Sequence, residues 1–381
     1  MTLNGRGPGF TRRRLIQATA GGVAVMGMPW RPATAQGYDR AFTWISPRGT
    51  LEVLDDYAYW IAVKQGYFGD LSIDIQPGPS DGTAVVKFVD VGQADMGFPS
   101  PGVFAFGLRE GMDLKSVFHW GPRDTFSLAF RRGEGPADIK EIEGKTILLG
   151  SAAWQPIVDP MLLAQGVDVS TITYVEAGWP TWGTALASGQ GDAALSWEGL
   201  RAEWIASELD FEYWLGVQNS PLPANTFVVR ASDVEDPAKR EFLERYLRGW
   251  AMGLEFAHHN PRAAVQAVFE QFPTLASKLG PELGLMSLIQ QQNVNRGDWE
   301  NRQGWGWHDM ESWQLMFDLI AQVDGSEPIV AEEVVTNDLI PEANNFDAAQ
   351  VQADAEAAEV AEEFAAVDVE ALRASMFDQA I

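Results

Sequence analysis

Aromatic and acidic side chains recur in the short stretches that follow apolar, strand-like runs of this sequence. Indole rings stack on flat ligands, and carboxylates accept hydrogen bonds from N–H groups. The same residue types can also surround a protonated or quaternary amine. The side chains that we predict to bind a ligand are Trp44, Tyr57, Tyr59, Ser100, Ser151, Trp154, Glu176, Trp179, Trp182, Trp197 and Glu198. This set predicts a ligand that is either a planar nitrogen heterocycle or an aromatic or cationic amine.

The positions of these residues along the predicted elements explain the choice. Trp44 stands in the loop region after the first predicted strand, and Trp197 and Glu198 stand at the end of a later one. Ser151–Trp154 leads into a helix, whose free backbone N–H groups can bind an oxyanion or a carbonyl group. Each tryptophan has an alternative role as a packing residue between elements. Glu176 has an alternative role as the cap of the helix that follows it.

Patterns typical of catalysis and metal binding are missing from the sequence. It has no cysteine, which excludes disulfides, thiolate metal sites and a cysteine nucleophile. Its four histidines are not spaced as metal ligands, and His-Glu-x-x-His does not occur. We therefore expect no catalytic residue, no metal and no cofactor. The candidate loops also contain few cations, Arg48 being the main one, so they suit nitrate or a sulfonate poorly.

The charge of the chain is strongly acidic. Its formal net charge is -26 over 381 residues, and the five arginines of residues 1–35 are not matched by any acid there. The remainder therefore carries an even larger excess of negative charge. Such a surface repels nucleic acid and anionic lipid head groups, so we expect neither as a partner. Solubility, in a salty medium for example, is the simplest role of this charge.

The first 35 residues have the layout of an export signal. Adjacent arginines in Thr11–Gln17 precede a mildly apolar run, Leu15–Met28, and Ala33–Ala35 supplies the small residues that a signal peptidase needs. An apolar run of about 14 residues is too short to span a bilayer, which takes about 20. The paired arginines indicate the twin-arginine route. We expect cleavage near Ala35 and a periplasmic mature chain without a lipid-modified cysteine.

From Tyr38 onward, short apolar strands alternate with longer helical stretches. Glu52–Gln65, for example, carries apolar residues at helical spacing between the predicted strands Ala41–Ile45 and Leu71–Gln76. Such alternation predicts an α/β fold in which helices cover mostly parallel sheets. The last stretch, Asp347–Ile381, is rich in alanine and acid. Its thin apolar stripe predicts a loosely docked or partly disordered tail.

Several segments together resemble one family, the solute-binding proteins related to thiamine-pyrimidine-precursor binders and the fungal pyrimidine synthase. Nitrate, alkanesulfonate and taurine binders are relatives of that family. Each segment is weakly specific by itself, but their order and spacing over residues 41–340 are specific. The synthase branch uses a cysteine-rich stretch that this chain lacks, so catalysis is not carried over. The matching segments are Ala62–Phe68, Leu71–Pro79, Val91–Gly97, Ile142–Ile147, Gly191–Ala194, Asn260–Ala264 and Val335–Ile340.

The resemblance implies a type II periplasmic-binding-protein fold. Two α/β lobes, each a mostly parallel sheet flanked by helices, would be joined by crossover strands near Thr125–Arg131 and Asn225–Arg230 that act as a hinge. A monomer would bind a small, pyrimidine-like molecule between the lobes and deliver it to an ABC-transporter permease. The alternatives are an anion binder of the nitrate, sulfonate or taurine type, and an exported enzyme or sensory module with the same cleft. The implied segments are a signal at 1–35, a first lobe at 36–127 and 228–345, a second lobe at 128–227 and an acidic tail at 346–381.

Overall fold

Two sheets form the centre of the computed structural model, which describes residues 37–38, 40–79 and 84–381. The predicted export signal at residues 1–35 lies outside this part of the chain. Among the described residues, no helix is both long enough and apolar enough to cross a membrane. The strands are β1 (Phe42–Ile45), β2 (Ile73–Gln76), β3 (Met96–Gly97), β4 (Leu114–His119), β5 (Phe126–Arg131), β6 (Thr146–Leu149), β7 (Thr173–Glu176), β8 (Ala193–Trp197), β9 (Phe211–Leu215) and β10 (Thr226–Arg230).

The two sheets repeat one strand order. The first sheet has the order β2-β1-β3-β10-β4, and the second has the order β7-β6-β8-β5-β9. In each sheet three neighbouring strands are parallel, while β10 or β5 runs antiparallel to both of its neighbours. Buried parallel strands are continuous apolar runs because helices cover both of their faces, as in β6 and β8. The predicted α/β class with mostly parallel sheets is confirmed.

The two antiparallel strands follow the passages between the sheets. The chain leaves the first sheet after β4 and enters the second at β5, and it returns from β9 to β10. These strands coincide with the predicted crossovers Thr125–Arg131 and Asn225–Arg230. We call the first sheet with its helices the first lobe, and the second sheet with its helices the second lobe. The exact residues of the lobe boundaries, predicted at 127 and 227, stay a prediction.

Helices cover the sheets and also join the lobes. α4 of the second lobe contacts α3 and α12 of the first, while α11 lies against both α10 and α6. The lobes therefore meet on both sides of the space between them. The helices are α1 (Tyr57–Gln65), α2 (Ala84–Asp90), α3 (Pro101–Arg109), α4 (Gln155–Leu163), α5 (Trp182–Ala187), α6 (Leu200–Ala206), α7 (Gly216–Asn219), α8 (Ala231–Glu235), α9 (Pro237–His259), α10 (Pro261–Gln271), α11 (Pro273–Asn295), α12 (Met310–Asp324), α13 (Ala331–Val334), α14 (Ile340–Ala343), α15 (Ala348–Ala357), α16 (Glu362–Ala365) and α17 (Val369–Ala374).

The helix predicted at Glu52–Gln65 begins later than expected. In the structure α1 starts at Tyr57, and the residues before it form turns. These turns bring Asp55 and Asp56 to Arg48, whose guanidinium lies 3.1 Å from the first carboxylate and 2.8 Å from the second. A tertiary ion pair therefore replaces the first turns of the predicted helix, and apolar spacing alone does not reveal it.

The C-terminal segment is packed against the body, so the predicted loose or disordered tail is wrong. α15 lies on α9, and its Val351 and Ala355 are fully buried. The small side chains allow a close approach, and polar contacts hold the helix in place. The Tyr67 hydroxyl donates to Asp354 at 3.0 Å, and Asn260 Nδ2 donates to the Ala355 carbonyl at 2.8 Å. A thin apolar stripe is sufficient here because the neighbouring helices supply these partners.

Candidate functional site

A cleft lies between the two lobes, at the carboxyl ends of the parallel strands. Its wall is formed by residues that follow β1, β3 and β4 in the first lobe, and β6 and β8 in the second. Open α/β sheets bind ligands at this edge, and a mostly apolar wall with a few polar groups is typical of small-molecule sites. The described residues that line the cleft are Pro47, Arg48, Asp55, Phe98, Ser100, Val103, Trp120, Thr125, Phe126, Trp154, Ile157, Leu195, Trp197, Glu198 and Asn225.

Five aromatic side chains form much of the cleft wall. Phe98 and Trp120 come from the first lobe, with ring centroids 5.6 Å apart, and Phe126, Trp154 and Trp197 come from the second. The indole N–H of Trp120 is buried and has no hydrogen-bond partner among the described residues. Indole nitrogen can only donate, so it suits an acceptor atom on a bound molecule. The wall therefore combines flat apolar faces with N–H donors, on Trp120 and Arg48, that have no partner among the described residues.

Trp154 and Trp197 belong to a cluster of four tryptophans. Trp179 stacks on Trp182 and on Trp197, with ring centroids 4.9 Å and 5.9 Å apart. Trp182 is buried, and its indole N–H donates to the Leu195 carbonyl at 2.7 Å. Stacked and edge-on aromatic pairs stabilise each other's orientation by about 0.5–1.5 kcal/mol beyond burial. The cluster therefore fixes the ring of Trp197 at the cleft wall.

Glu198 places a carboxylate at the end of β8. The side chain is buried, and its Oε2 atom accepts from Arg201 Nη2 at 2.8 Å. Gly199, with φ of 93°, turns the chain into α6, so that Arg201 on the first turn of that helix meets Glu198. Burial raises the pKa of Glu198, and the attraction of Arg201 lowers it only in part. The other oxygen, Oε1, is buried and has no hydrogen-bond partner within the described ranges.

The cleft also contains a guanidinium that is already paired. Arg48 binds Asp55 and Asp56 through two of its nitrogens, and its guanidinium carbon lies 5.9 Å from the Phe98 ring centroid. Burial raises the pKa of Asp55 to about 7, and it also raises the pKa of Asp56. Two carboxylates on one guanidinium leave little positive charge for a further anion. The charged groups of the cleft therefore favour a neutral or cationic ligand.

Four of the predicted binding residues, Ser100, Trp154, Trp197 and Glu198, line the cleft. Four others lie near them without lining it. Ser151 caps the short helical turn that follows it, and Glu176 accepts from the backbone N–H of Ala152 at 3.0 Å. Trp179 and Trp182 complete the tryptophan cluster, where Trp179 is 37% exposed. Contact of any of the eight with a ligand stays a prediction.

The other three predicted residues lie in the core of the first lobe and not in the cleft wall. Trp44 is fully buried and packs against Phe98, Phe227 and Trp250. Tyr57 is buried too, and its hydroxyl accepts from Asn295. Tyr59 packs against Phe68 and Trp250 with tilted rings. Side chains in the middle of β1 and on the inner side of α1 point into the sheet–helix core, whereas the loop after the strand reaches the cleft.

Sequence reasoning missed several residues of the cleft wall. Phe98 and Trp120 directly follow β3 and β4, so the rule that selected Trp197 also identifies them. Phe126 and Asn225 begin the crossover strands, which run antiparallel to their neighbours and so bring their amino ends to the cleft edge. A rule that selects residues at the carboxyl ends of strands does not find residues at their starts. Asp55 lay within a predicted helix, and only the ion pair with Arg48 places it in the wall.

A serine, a histidine and an amide side chain are aligned elsewhere, in the core of the first lobe. Ser116 Oγ lies 2.7 Å from His308 Nε2, and His308 Nδ1 lies 3.0 Å from Asn337 Oδ1. Burial lowers the pKa of His308 to about 3, and Ser116 is fully buried outside the cleft wall. The arrangement instead satisfies polar groups beside the irregular pairing of β4 with β10. In the part of the chain that the structure describes, no group of three or more His, Asp or Glu residues is placed to hold a metal ion.

Comparison with solved structures shows the fold. The alkanesulfonate-binding protein SsuA from Xanthomonas axonopodis pv. citri, bound to MOPS, has a TM-score of 0.59 at 13% identity and covers 78% of this chain and 98% of its own. The periplasmic aliphatic sulphonate binding protein SsuA from Escherichia coli has a TM-score of 0.58 at 11% identity, over 78% and 92%. A DszB mutant in complex with biphenyl-2-sulfinic acid has a TM-score of 0.50 at 14% identity, over 80% and 99%.

Comparison at the level of sequence shows the family. A search of curated proteins finds no match. The model of the NMT1/THI5-like family matches residues 56–264, which is more than half of the chain. The matched range includes most of the cleft wall from Phe98 to Asn225 and both crossover strands. The protein thus belongs to the NMT1/THI5-like family and has the two-lobed fold of periplasmic binding proteins.

Proposed function

We propose that the chain is an extracytoplasmic solute-binding protein of an ABC importer. Its ligand is a small planar nitrogen heterocycle, pyrimidine-like in shape, or an aromatic or cationic amine. Membership of the NMT1/THI5-like family and the binding-protein fold support the carrier role. The lobes close on the ligand between them, and a membrane permease accepts the loaded monomer. The mature chain works in the periplasm after export by the twin-arginine route and cleavage near Ala35.

The observation that carries the proposal is the Glu198 carboxylate at the cleft wall, whose Oε1 atom has no hydrogen-bond partner among the described residues. A buried oxygen without a donor costs free energy, so the group that fits beside it is an N–H or a cation. The unpartnered indole N–H of Trp120 requires the opposite, an acceptor. An amino-substituted heterocycle carries both a donor and an acceptor in one plane. The aromatic side chains of the wall supply the faces on which such a ring stacks.

A sulfonate or another anion is the second candidate ligand, since two of the similar structures are named as sulfonate binders. Arg48 is the one cation among the described residues of the cleft wall, and Asp55 and Asp56 already occupy it. The remaining Nε–H of Arg48 has no partner among the described residues, but an anion bound there would lie beside both carboxylates. It would also face the Glu198 carboxylate. These contacts favour the nitrogen heterocycle over the sulfonate.

An exported enzyme or sensory module that reuses the cleft is the remaining alternative. No histidine or lysine is among the described residues that line the cleft. Ser100 Oγ accepts from the Val103 N–H at the start of α3, at 3.4 Å. The residues of the wall thus offer stacking and hydrogen bonding, which support binding without turnover.

Thermal unfolding in the presence of three compounds tests the proposal. These are 4-aminopyrimidine, neutral at neutral pH, 4-aminopyridine, which is protonated there, and the sulfonate MOPS. A bound ligand at a hundredfold excess over its Kd stabilises the fold by about 2.7 kcal/mol. We expect at least one aminated ring to raise the melting temperature and to be recovered unchanged by mass spectrometry. Stabilisation by MOPS alone would support the anion binder, an altered ring would support an enzyme, and no shift with any compound would contradict binding.

A further inference from the structure

The last six residues of the chain, 376–381, extend the sheet of the second lobe. Residue Tyr213 of β9 donates its N–H to the Gln379 carbonyl at 2.8 Å, and its carbonyl accepts from the Ile381 N–H at 2.9 Å. Ala380 forms a parallel bridge with Tyr213. β9 is the outer strand of its sheet, so the C-terminal residues cover an edge that would otherwise be exposed.

The same segment reaches the charged pair in the cleft. The Met376 carbonyl accepts from Arg201 Nη1 at 3.1 Å, while Arg201 Nη2 binds Glu198 at 2.8 Å. The guanidinium carbon also lies 5.6 Å from the centroid of the Tyr213 ring. Arg201 thus contacts three groups, which are the Glu198 carboxylate, the Met376 carbonyl and the ring of Tyr213. Both members of the pair are buried, with side-chain exposures of 1% and 0%.

The rest of the tail connects this point with the first lobe. α15 packs on α9, and Phe364 of α16 lies 5.9 Å from Phe269 of α10. Arg262 of α10 donates to the Val367 carbonyl at 2.8 Å, and Arg373 of α17 donates to Gln292 of α11 at 3.4 Å. The segment from residue 347 to the C-terminus therefore runs from the helices of the first lobe to the outer strand of the second. Its end is anchored at both lobes.

We propose that residues 376–381 are a positioning element of the ligand site, which holds Arg201 and thereby sets the place of the Glu198 carboxylate. Glu198 has one bonded oxygen and one free oxygen. The direction of the free oxygen depends on where Arg201 holds the bonded one. Arg201 in turn has a long, flexible side chain, and the Met376 carbonyl fixes its second nitrogen. Loss of the C-terminal segment therefore disturbs the carboxylate in the cleft without changing any residue of the cleft wall.

Two variants of the full chain and one control test this role. The first lacks residues 376–381, and the second, Ile381→Pro, removes the N–H that binds the Tyr213 carbonyl together with the Ile381 side chain beside Gly135. The control is Asp378→Ala, because this exposed side chain takes no part in the contacts with β9. Hydrogen–deuterium exchange is compared, without ligand, in residues 197–206 and in residues 146–163 of the same lobe. We expect faster exchange in the first range only, for both variants but not for the control.

Ligand affinity provides a second measurement, which rests on the proposed function. In both variants we expect the affinity for 4-aminopyridine to fall by about tenfold more than that for 4-aminopyrimidine, since Glu198 pairs with the cation. A general loosening of the lobe would lower both affinities alike and would overturn the positioning role. Unchanged exchange in residues 197–206 would also overturn it. If the unaltered chain binds neither compound, the proposed ligand class fails, and exchange alone decides the role of the C-terminal segment.

Discussion

At the residue scale, Glu198 is the side chain whose chemistry distinguishes the candidate ligands. Glu198→Gln keeps an amide oxygen for Arg201 but removes the negative charge from the cleft. We expect the affinity for 4-aminopyridine to fall by about tenfold to a hundredfold, because a hydrogen bond to a charged group contributes about 1.5–3 kcal/mol. The affinity for 4-aminopyrimidine falls less. Isothermal titration calorimetry measures both.

The matched control for this change is Glu143→Gln in the same lobe. Glu143 accepts from the Asp168 N–H at 2.9 Å and does not line the cleft, so this change leaves both affinities within about twofold. A loss of affinity in the Glu143 variant, with none in the Glu198 variant, would contradict the placement of the Glu198 carboxylate at the ligand.

The carboxyl group of Asp124, which lies between the lobes, makes the free energy of unfolding depend on pH. It is buried and accepts from the Phe126 N–H at 3.0 Å, and burial raises its pKa to about 7. The folded chain therefore retains a proton that the unfolded chain releases near pH 4. The retained proton contributes its full stabilisation to the folded chain below about pH 4, and this contribution is lost as the pH rises through 7.

Asp124→Asn removes this titration. From about pH 5 to pH 7, we expect the free energy of unfolding of the unaltered chain to fall by about 2 kcal/mol more than that of the variant. Asp55, with a pKa of about 7 as well, contributes to both chains and cancels in the difference. Urea unfolding at the two pH values measures the effect. Parallel pH dependences would show that the Asp124 carboxyl titrates normally.

Among single residues, those at strand ends could be predicted from the sequence. Trp197 and Glu198 directly end a strand, and the cleft does lie at that edge. Trp44 could not be separated from them, because only the three-dimensional packing shows that its ring points into the core. Arg201 was not identified either. Its role depends on the Met376 carbonyl, which is distant along the chain.

At the element scale, a close contact between α1 and α9 supports the first lobe. A Cβ atom added at Gly253 of α9 would lie 2.1 Å from the Ala58 carbonyl oxygen of α1. Gly253→Ala must therefore push the two helices apart, which we expect to lower the free energy of unfolding by about 2 kcal/mol. Glu241→Ala, exposed on the same helix, changes it by less than about 0.5 kcal/mol. Urea unfolding compares them, and a Gly253 variant as stable as the unaltered chain would contradict the close packing.

Elements with a strong local pattern could be predicted, and those defined by distant contacts could not. The crossover strands are apolar runs, and β5 and β10 occupy the expected residues. α1 begins late because Arg48 binds Asp55 and Asp56 in the turns before it. α15 docks although its apolar stripe is thin, because Tyr67 and Asn260 bind it. Local spacing does not encode either set of partners.

At the scale of the whole molecule, a formal charge of -26 is combined with an aromatic cleft between the two lobes. The acidic surface repels polyanions, while the free carboxylate oxygen in the cleft attracts donors and cations. The lobes meet through α3, α4 and α12 and, separately, through α6 and α11. In the proposed function, a ligand enters and leaves by movement of one lobe relative to the other.

Native mass spectrometry of the chain, exported with its own signal and recovered from the periplasm, tests the central claim most directly. We predict a single bound small molecule that is a nitrogen heterocycle or an aromatic amine and that excess 4-aminopyrimidine displaces. The Glu198→Gln variant, recovered in the same way, should carry much less of it. A bound sulfonate or other anion, or equal occupancy in the variant, would contradict the assignment of the Glu198 carboxylate as the group that recognises the ligand.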